Sequence, residues 1–546
     1  MVLSDIQNYW GKDAIYKLQN SKIIKGYPDG TFRPDAPVIR AEFAVLMCRA
    51  YPDAPRIKEP IAFTDVPDNY WAKEDIETAS AKGFFAGYPD KTFRPEEQIS
   101  RVQATIVLAA SERAYIVPLN PEEILQQYFD DAADIPSYSK KMMAVAAINQ
   151  IVVNYPDIRK FHPNRSATRG EVAALMVRSL GIADRVSSQY LATSNIFAIP
   201  LRFQSASSFS EGLAAAKKEG EKKSGFIDST GEFVIAPNPD RTYHTPFSEG
   251  LAGVSINNKG GYIDKTGKIV IPPQIYGFTL RQFKEGLAAV QMQYEGKWGY
   301  LDKNGNLAIE SKFSGAGDFI DGLALVTFEN RFAYIDKSGE FAIEPKNYYA
   351  TDFSEGRARI KIDQKWGYLD TNGDTRIQAQ FREANDFSEG LAAVQADNYK
   401  WGYIDLDGNW IVEAKFSSAE NFSEGLALVS VDGKSSYIDK TGKVVLEPEF
   451  DAFGSFSEGL APVGIGGETT GEYEIEPIWG FIDKKGDLII EPQFYSVTNF
   501  SEGFAAVRLR GNWERISVGY DGSAVPIDFR WVLRGGNYGY IYNPLL

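Results

Sequence analysis

The chain has 546 residues, 44% of them hydrophobic, with 58 Lys+Arg against 73 Asp+Glu and a net charge of −15. It is too long for one ordinary domain, and an acidic chain argues against nucleic-acid binding, which calls for a basic face. The one cysteine, Cys48, excludes an internal disulfide framework and a cysteine-rich zinc site, and no stretch of 18 consecutive apolar residues could cross a membrane as a helix.

The first third is organised around a repeated motif. It reads GYPDGTFRPDAPVIRAE from Gly26 to Glu42, GYPDKTFRPEEQISRVQ from Gly87 to Gln103, and NYPDIRKFHPNRSATRGE from Asn154 to Glu171, with one extra residue in the third copy. Each copy predicts a Tyr-Pro-Asp turn, a Phe-x-Pro step and then a helix. Gly30 suits the positive φ of that turn; Lys91 stands in its place in the second copy. Ser100 with Gln103, and Thr168 with Glu171, have the spacing of a capping box, whereas Ile39 displaces the hydroxyl in the first copy. Arg40, Arg101 and Arg169 then fall at the first helical position, where a cation faces the positive end of the helix dipole. Two readings stay open there. Free N–H groups plus an arginine make an anion site that folding itself does not require. Alternatively, each arginine pairs with an aspartate or lays its stem on the core. Upstream, Asp5 precedes Trp10, Asp65 precedes Trp71 and Asp131 precedes Tyr138. A helix is expected between aromatic and turn, with Ala14, Ile15 and Leu18 on one face, and Ile76, Ala79 and Ser80 on another.

These motifs in this order resemble S-layer homology (SLH) modules, three of them, over residues 1–50, 63–111 and 129–182. The resemblance implies a pseudo-threefold helical unit whose grooves bind cell-wall polysaccharide or a peptidoglycan-linked acidic glycan. The implied glycan-binding residues are Asp5, Trp10, Gly30 and Arg40, then Asp65, Trp71 and Arg101, then Asp131, Tyr138 and Arg169. The aspartates would accept sugar hydroxyls and the tryptophans would face sugar rings. The third copy, without tryptophan or the first glycine, is expected to be the weakest site or only to complete the threefold. Such a protein acts outside the cytoplasmic membrane, at the wall, cell surface or periplasmic face. Because the first module begins at Leu3 and leaves no room for a signal peptide, the natural N-terminus is expected to be missing.

Residues 183–196 read as a linker, and at 197–546 composition shifts and helical periodicity stops. FSEG or a near copy begins at Phe209, Phe247, Phe283, Phe319, Phe353, Phe387, Phe422, Phe456 and Phe500, six of the eight intervals being 34–36 residues. That period marks units that bury a core only against their neighbours. The unit from Phe387 predicts three strands: Leu391 to Gln395, Trp401 to Asp405 and Trp410 to Glu413. A turn joins the last two at Asp405 to Gly408, and a short return follows near Phe416. In FSEG the serine is expected to bond its own backbone and the glycine to turn with positive φ. KWGYLD at Lys297 and Lys365 and KWGYID at Lys400 make this half similar to WG-repeat proteins, which implies a non-enzymatic interaction array for a protein or glycan partner. The tryptophan slot holds Trp298, Trp366, Trp401, Trp479 and Trp513, but Ser224, Gly260, Phe332 and Ser435 elsewhere. Either the first four form a partly exposed platform on one rim, or each is a core residue. FAIPLRF at Phe197 matches the third strand of a unit, and strand-like segments follow Phe500. A propeller-like ring sharing one unit between the two ends is therefore preferred to an open β superhelix.

Chemistry-bearing motifs do not assemble. The two histidines differ in place: His162 occupies the slot of Arg33 and Arg94, and His244 a turn. No nucleophile triad, zinc spacing or phosphate loop is present, so no catalytic residue, metal ligand or cofactor is expected. GIGGETTG, with Gly464, Gly466, Gly467 and Gly471, reads as a surface loop, and DLDG at Asp405 as a hairpin turn rather than a calcium loop. The fold class is thus a helical N-terminal trimer of modules plus an all-β repeat array. The function is that of a non-catalytic, wall-anchored surface protein. A carbohydrate-active enzyme with the array as catalytic domain, and a structural S-layer lattice protein, are the alternatives.

Overall fold

A computed structural model describes residues 3–111, 118–182, 185–192, 194–218, 221–243, 245–276, 280–293, 296–467, 469–470, 473–474, 476–509, 512–520, 526–534 and 537–546. The side chain of Trp513, with His244 and Gly471, lies outside the described residues.

Among the described residues the N-terminal region holds seven α-helices. They are α1 (Lys12–Asn20), α2 (Arg40–Ala50), α3 (Lys73–Ala81), α4 (Arg101–Ala110), α5 (Pro121–Tyr128), α6 (Lys140–Ile148) and α7 (Arg169–Ser179). The three helices that follow the Phe-x-Pro step start where the sequence places them. Ser100 and Thr168 accept from the N–H groups of Gln103 and Glu171, and those side chains bond back, closing both capping boxes. At α2 only the return half exists, from Ile39 N–H to Glu42. Gly30 has φ 80° and Lys91, in the same slot, takes φ 62°. A side chain is therefore tolerated there at a modest strain.

Three backbone hydrogen bonds meet on one axis. Val38 N–H donates to Ala167 O at 3.0 Å, Ile99 to Val38 O at 2.9 Å and Ala167 to Ile99 O at 2.9 Å. Residues 129–182 thus take the same place about this axis as the two copies before them. Ala41, Ala44, Val45, Ala104, Leu108, Val172, Ala173 and Leu175 bury the inner helix faces around it.

The second region is a succession of small sheets, most of four antiparallel strands that meander in chain order; one sheet departs from this, with Tyr473–Glu474 parallel to Pro526–Arg534. Its core repeats with the sequence. The nine FSEG phenylalanines are 0–3% exposed. Each packs on the aromatic two residues after the tryptophan slot of the preceding unit, for example Tyr334–Phe353 at 4.7 Å and Tyr403–Phe422 at 4.8 Å between centroids. Burying one such phenyl ring contributes ~1.5–3 kcal/mol. The buried tyrosines satisfy their hydroxyls on a backbone carbonyl of the next unit, as Tyr403 does on Glu420 O at 2.7 Å.

The FSEG turn differs from expectation. The serine does not bond its own backbone. Ser354 Oγ donates to Phe387 O at 2.8 Å, one unit on, and Ser388 to Phe422 O likewise at 2.8 Å. Both the acid and the glycine have positive φ, such as Glu389 at 55° and Gly390 at 86°. This is the two-residue hairpin loop whose twist matches the strands, for which Asn-Gly would be the unstrained choice. The carboxylate accounts for the acid. Glu355 accepts from Glu389 N–H at 2.7 Å and Gly390 N–H at 2.8 Å, and corresponding acids clasp the next turn in the other units.

These contacts continue from the last unit to the first. Ser501 Oγ donates to Phe209 O, Glu502 accepts from Glu211 N–H and Gly212 N–H, and Tyr540 packs on Phe209 at 5.0 Å. Phe197–Ala206 lies between Tyr538–Tyr542 and Ala214–Lys218 in one seven-stranded sheet. The last unit's third strand is Tyr538–Tyr542, so Tyr538, not Trp513, holds its tryptophan slot. Asn512–Tyr520 and Pro526–Arg534 form an inserted hairpin instead. That hairpin pairs with Tyr473–Glu474, just after GIGGETTG in the unit before, and Tyr473–Glu474 pairs in turn with Thr469–Thr470, so the stretch read as a surface loop is partly sheet.

The two regions touch. Ile478 and Tyr495 of the array join the core of α5 and α6. Tyr495 OH bonds Asn149 Oδ1 at 2.9 Å, and Gln493 Nε2 donates to Gln127 Oε1 at 3.1 Å. The stretch read as a linker is docked at its end: Asn154 N–H donates to Tyr190 O, and Ala192 N–H to Val152 O.

Candidate functional site

Each arginine reaches into the loop of the next module. Arg40 Nε donates to Phe93 O at 2.8 Å, Arg101 Nε to Phe161 O at 2.8 Å and Arg169 Nε to Phe32 O at 2.9 Å. Every guanidinium also lies over aromatic rings of that loop, Tyr88 and Phe93, Phe161, or Tyr27 and Phe32. The helix-start N–H groups are not free, as the anion-site reading needs. Arg40, Arg101 and Arg169 donate theirs to Glu97, Arg165 and Ala36, and the following residues to Pro95, Pro163 and Pro34. Arg40 and Arg101 are 6% and 2% exposed, so the expectation that folding does not require them is corrected: they stitch modules together. The signal was in the sequence, since a cation at an unfavourable helix position invites a partner from elsewhere.

The aspartates are likewise committed. Asp5 accepts from Phe32 and Arg33 N–H, Asp65 from Phe93 and Arg94, and Asp131 from Phe161 and His162, at 2.6–2.9 Å. Both oxygens of each thus hold the turn, where left-handed Arg33, Arg94 and His162 sit. The carboxylates thus have a structural role in the turn beside the expected one as acceptors for sugar hydroxyls.

Each groove draws on all three modules, which single-module reading missed. The first holds the loop of module one, Arg169 from the third segment and Trp71 from the second module. It is a cavity of about 190 Å³ lined by Lys25, Phe32, Glu42, Arg49, Trp71 and Arg169 among others. Trp71 is 61% exposed. Three cations face one carboxylate there, and Glu42 is engaged with Ile39 N–H rather than with an arginine. In the second groove, Tyr138, 67% exposed, stands by Gln103, Tyr88 and Arg40. The third groove is filled. Trp10 stacks on Tyr155 at 5.4 Å and meets the edge of Tyr190 at 5.3 Å. Arg101 bonds Val153 O, Asn154 Oδ1 and, at 2.6 Å, Glu171. Burial would raise the Glu171 carboxyl, but Arg101 and Arg165 hold it below the ordinary carboxylate range.

In the array, Trp298, Trp366, Trp401 and Trp479 stand first or second in the strand that pairs with the last strand of their sheets, opposite Phe313, Phe381, Phe416 and Phe494, and so share one rim. Trp366 is buried, at 8% exposure, with its Nε1 on Glu383, which corrects its place in an exposed row; the other three are half-buried. Where glycine fills the slot, Leu280 occupies the space beside Gly260. Asp405 Oδ1 accepts from Asp407 and Asn409 N–H, the expected hairpin turn.

Helical modules that interlock about an axis, followed by a long array of small β sheets, define a two-part repeat architecture, and the helical part has relatives named as cell-surface, anchoring and S-layer proteins, which supports a surface-anchored protein. The S-layer homology domain family matches residues 3–44 and 62–105. The WG containing repeat family matches nine segments from 195 to 513, more than half of the chain, and the chain belongs to that family. Among curated relatives it is 38% identical over 120 residues to a cellulosome-anchoring protein of Acetivibrio thermocellus, covering 21% of this chain and 26% of that one. It is 30% identical over 171 residues to cell surface glycoprotein 1 of the same organism, covering 29% and 7%. It is 31% identical over 132 residues to S-layer protein EA1 of Bacillus anthracis, covering 24% and 14%. The chain therefore matches about a quarter or less of the length of each.

Proposed function

We propose that this chain is a non-catalytic envelope protein. Three SLH-type modules, residues 129–182 being the third, hold it to an acidic cell-wall polysaccharide. The WG array is a nine-unit ring of propeller type that presents its tryptophan rim to a protein or glycan partner. The observation that carries the anchoring reading is the first groove. It offers an exposed indole face beside Lys25, Arg49 and Arg169, with the Arg169 guanidinium only half-buried. An apolar plate next to a donor fork suits a sugar ring bearing a carboxylate. The names of the surface-anchoring relatives support the same reading. For the ring, support comes from the hydrogen bonds that lead from Ser501 and Glu502 back to Phe209, Glu211 and Gly212.

The test is sedimentation of the full chain with purified sacculi, before and after the attached polysaccharide is stripped. Binding that depends on the polysaccharide and weakens in Trp71→Ala supports the reading. Equal binding to stripped sacculi, or none to either, refutes it.

A further inference from the structure

The three grooves are equivalent in backbone and unequal in contents. At the positions where the first groove presents the bare Trp71 and the second the bare Tyr138, the third presents Trp10 already stacked on Tyr155 and in T-shaped contact with Tyr190. Tyr190 does not belong to the modules. It lies on the segment leading to the array, which runs along the module loop through Asn154 N–H to Tyr190 O, the Val153–Leu191 bridge and Ala192 N–H to Val152 O.

The charges follow the same pattern. In the first groove the Arg169 guanidinium donates to two carbonyls, Phe32 O and Lys25 O, and lies over the Tyr27 and Phe32 rings, with no carboxylate partner among the described residues. In the third, Glu171 pairs with both Arg101 and Arg165, and Arg178 is engaged by Gln150 O and Gln150 Oε1. Arg49, the counterpart of Arg178, lines the open cavity instead.

We propose that the third groove is a self-occupied copy of the glycan site, resting on the wall-binding reading above. Glu171 takes the place of the ligand's carboxylate on Arg101, and Tyr155 with the Tyr190 strap takes the place of its sugar ring on Trp10. The chain therefore offers two open grooves to an acidic glycan, not three. The strap that closes the third leads directly into the array. The closure depends on a tyrosine from outside the modules and on the pairing of Glu171 with Arg101; Glu42, in the same slot of the first module, bonds the Ile39 N–H, and the second module has Gln103 there.

The test is 19F NMR of the full chain labelled with 5-fluorotryptophan, the Trp10 and Trp71 resonances assigned by Trp10→Phe and Trp71→Phe, with a pyruvylated N-acetylhexosamine as probe. In the unsubstituted chain the Trp71 resonance is expected to move on titration and Trp10 to stay still. In Tyr155→Ala/Tyr190→Ala/Glu171→Gln both are expected to move, the Trp10 response growing at least tenfold. Glutamine is compatible with the helix cap, since Gln103 caps α4 in the same way. If the triple variant fails to fold, Tyr155→Ala/Tyr190→Ala is read by the same criterion. A Trp10 resonance that moves in the unsubstituted chain overturns the proposal, as does one that stays still in the variants while Trp71 moves. A silent Trp71 at saturating probe overturns the wall-glycan reading itself, and the inference with it.

Discussion

Replacing Arg101 with alanine separates an arginine that builds the helical unit from one that reads a ligand. Arg101 is 2% exposed and holds Phe161 O, Val153 O, Asn154 Oδ1 and Glu171. Its removal leaves the Glu171 carboxylate, itself 7% exposed, short of its main counter-charge, and two carbonyls without their donor. Breaking a buried pair in this way costs about 3–5 kcal/mol. Arg169 makes the same Nε contact but is half-buried, and water replaces what it loses, so Arg169→Ala costs about 1–2 kcal/mol. For a unit of this size one kcal/mol moves a melting midpoint by roughly 2–4 °C, so the helical transition should fall by about 6–20 °C in Arg101→Ala and by about 2–8 °C in Arg169→Ala. Circular dichroism at the helical band, supported by urea titration, reads both. Arg101→Ala/Glu171→Gln should recover part of the loss, because the orphaned charge is gone. If Arg101→Ala melts within a degree or two of the unsubstituted chain, the stitching argument is wrong.

Four further outcomes are expected. Trp71→Ala should weaken sacculus binding about tenfold or more while the melting profile holds, since its side chain is mostly in solvent; unchanged sedimentation would count against the first groove. Deleting 197–206 should destabilise every unit of the array if its ends are joined, whereas loss confined to the first unit would show an open array. Acrylamide should quench Trp298, Trp401 and Trp479 more than Trp366, checked by single Trp→Phe variants, and uniform shielding would remove the platform. The array should also lose stability in acid. Burial alone would raise the carboxyls of Glu211, Glu249 and Glu424, but the N–H groups of Gly250, Gly286 and Gly459 and the ammonium groups of Lys265, Lys303 and Lys484 outweigh it and hold them below the ordinary range. A folded pKa below the unfolded one contributes stability at neutral pH, which is lost as pH falls through the lowered value. Glu211→Gln/Glu249→Gln/Glu424→Gln should therefore lose less between pH 7 and acid than the unsubstituted chain, and an equal loss in both would refute the clasp.

What could be read from the sequence was what repeats within a unit. Capping boxes at Ser100 and Thr168, the FSEG phenylalanines and the hairpin turn at Asp405 are local or periodic, and all stand in the structure. What could not be read was what passes between units. Spacing says that Arg40, Arg101 and Arg169 start helices, but not that each donates to the next module's loop. It says that Asp5 precedes Trp10, but not that Phe32 and Arg33, 27 and 28 residues on, take both of its oxygens. Ranking the third copy as the weakest followed from treating a module as a site. Arg169 instead serves the loop of the first module, where the motif is most complete. The slot of the last unit was misplaced at Trp513 because an inserted hairpin delays the true strand to Tyr538, and a tyrosine in that slot carries no KWG signature. The acid of FSEG is the clearest missed cue. A glutamate in eight turns and an aspartate in the ninth, where asparagine would sit more easily, need a partner beyond their own hairpin.

The position of Phe197–Ala206 has a mechanical consequence. It is where the chain enters the array from the helical region, and it is hydrogen-bonded on both sides, to Tyr538–Tyr542 and to Ala214–Lys218. A pull transmitted from the helical region would act along this strand and load two antiparallel ladders in shear at once, rather than peeling one bond after another from a free edge. The docked Tyr495 and Gln493 offer that pull a parallel path into the array. A body tethered in flow would then yield first in its anchor segment, with the array still intact.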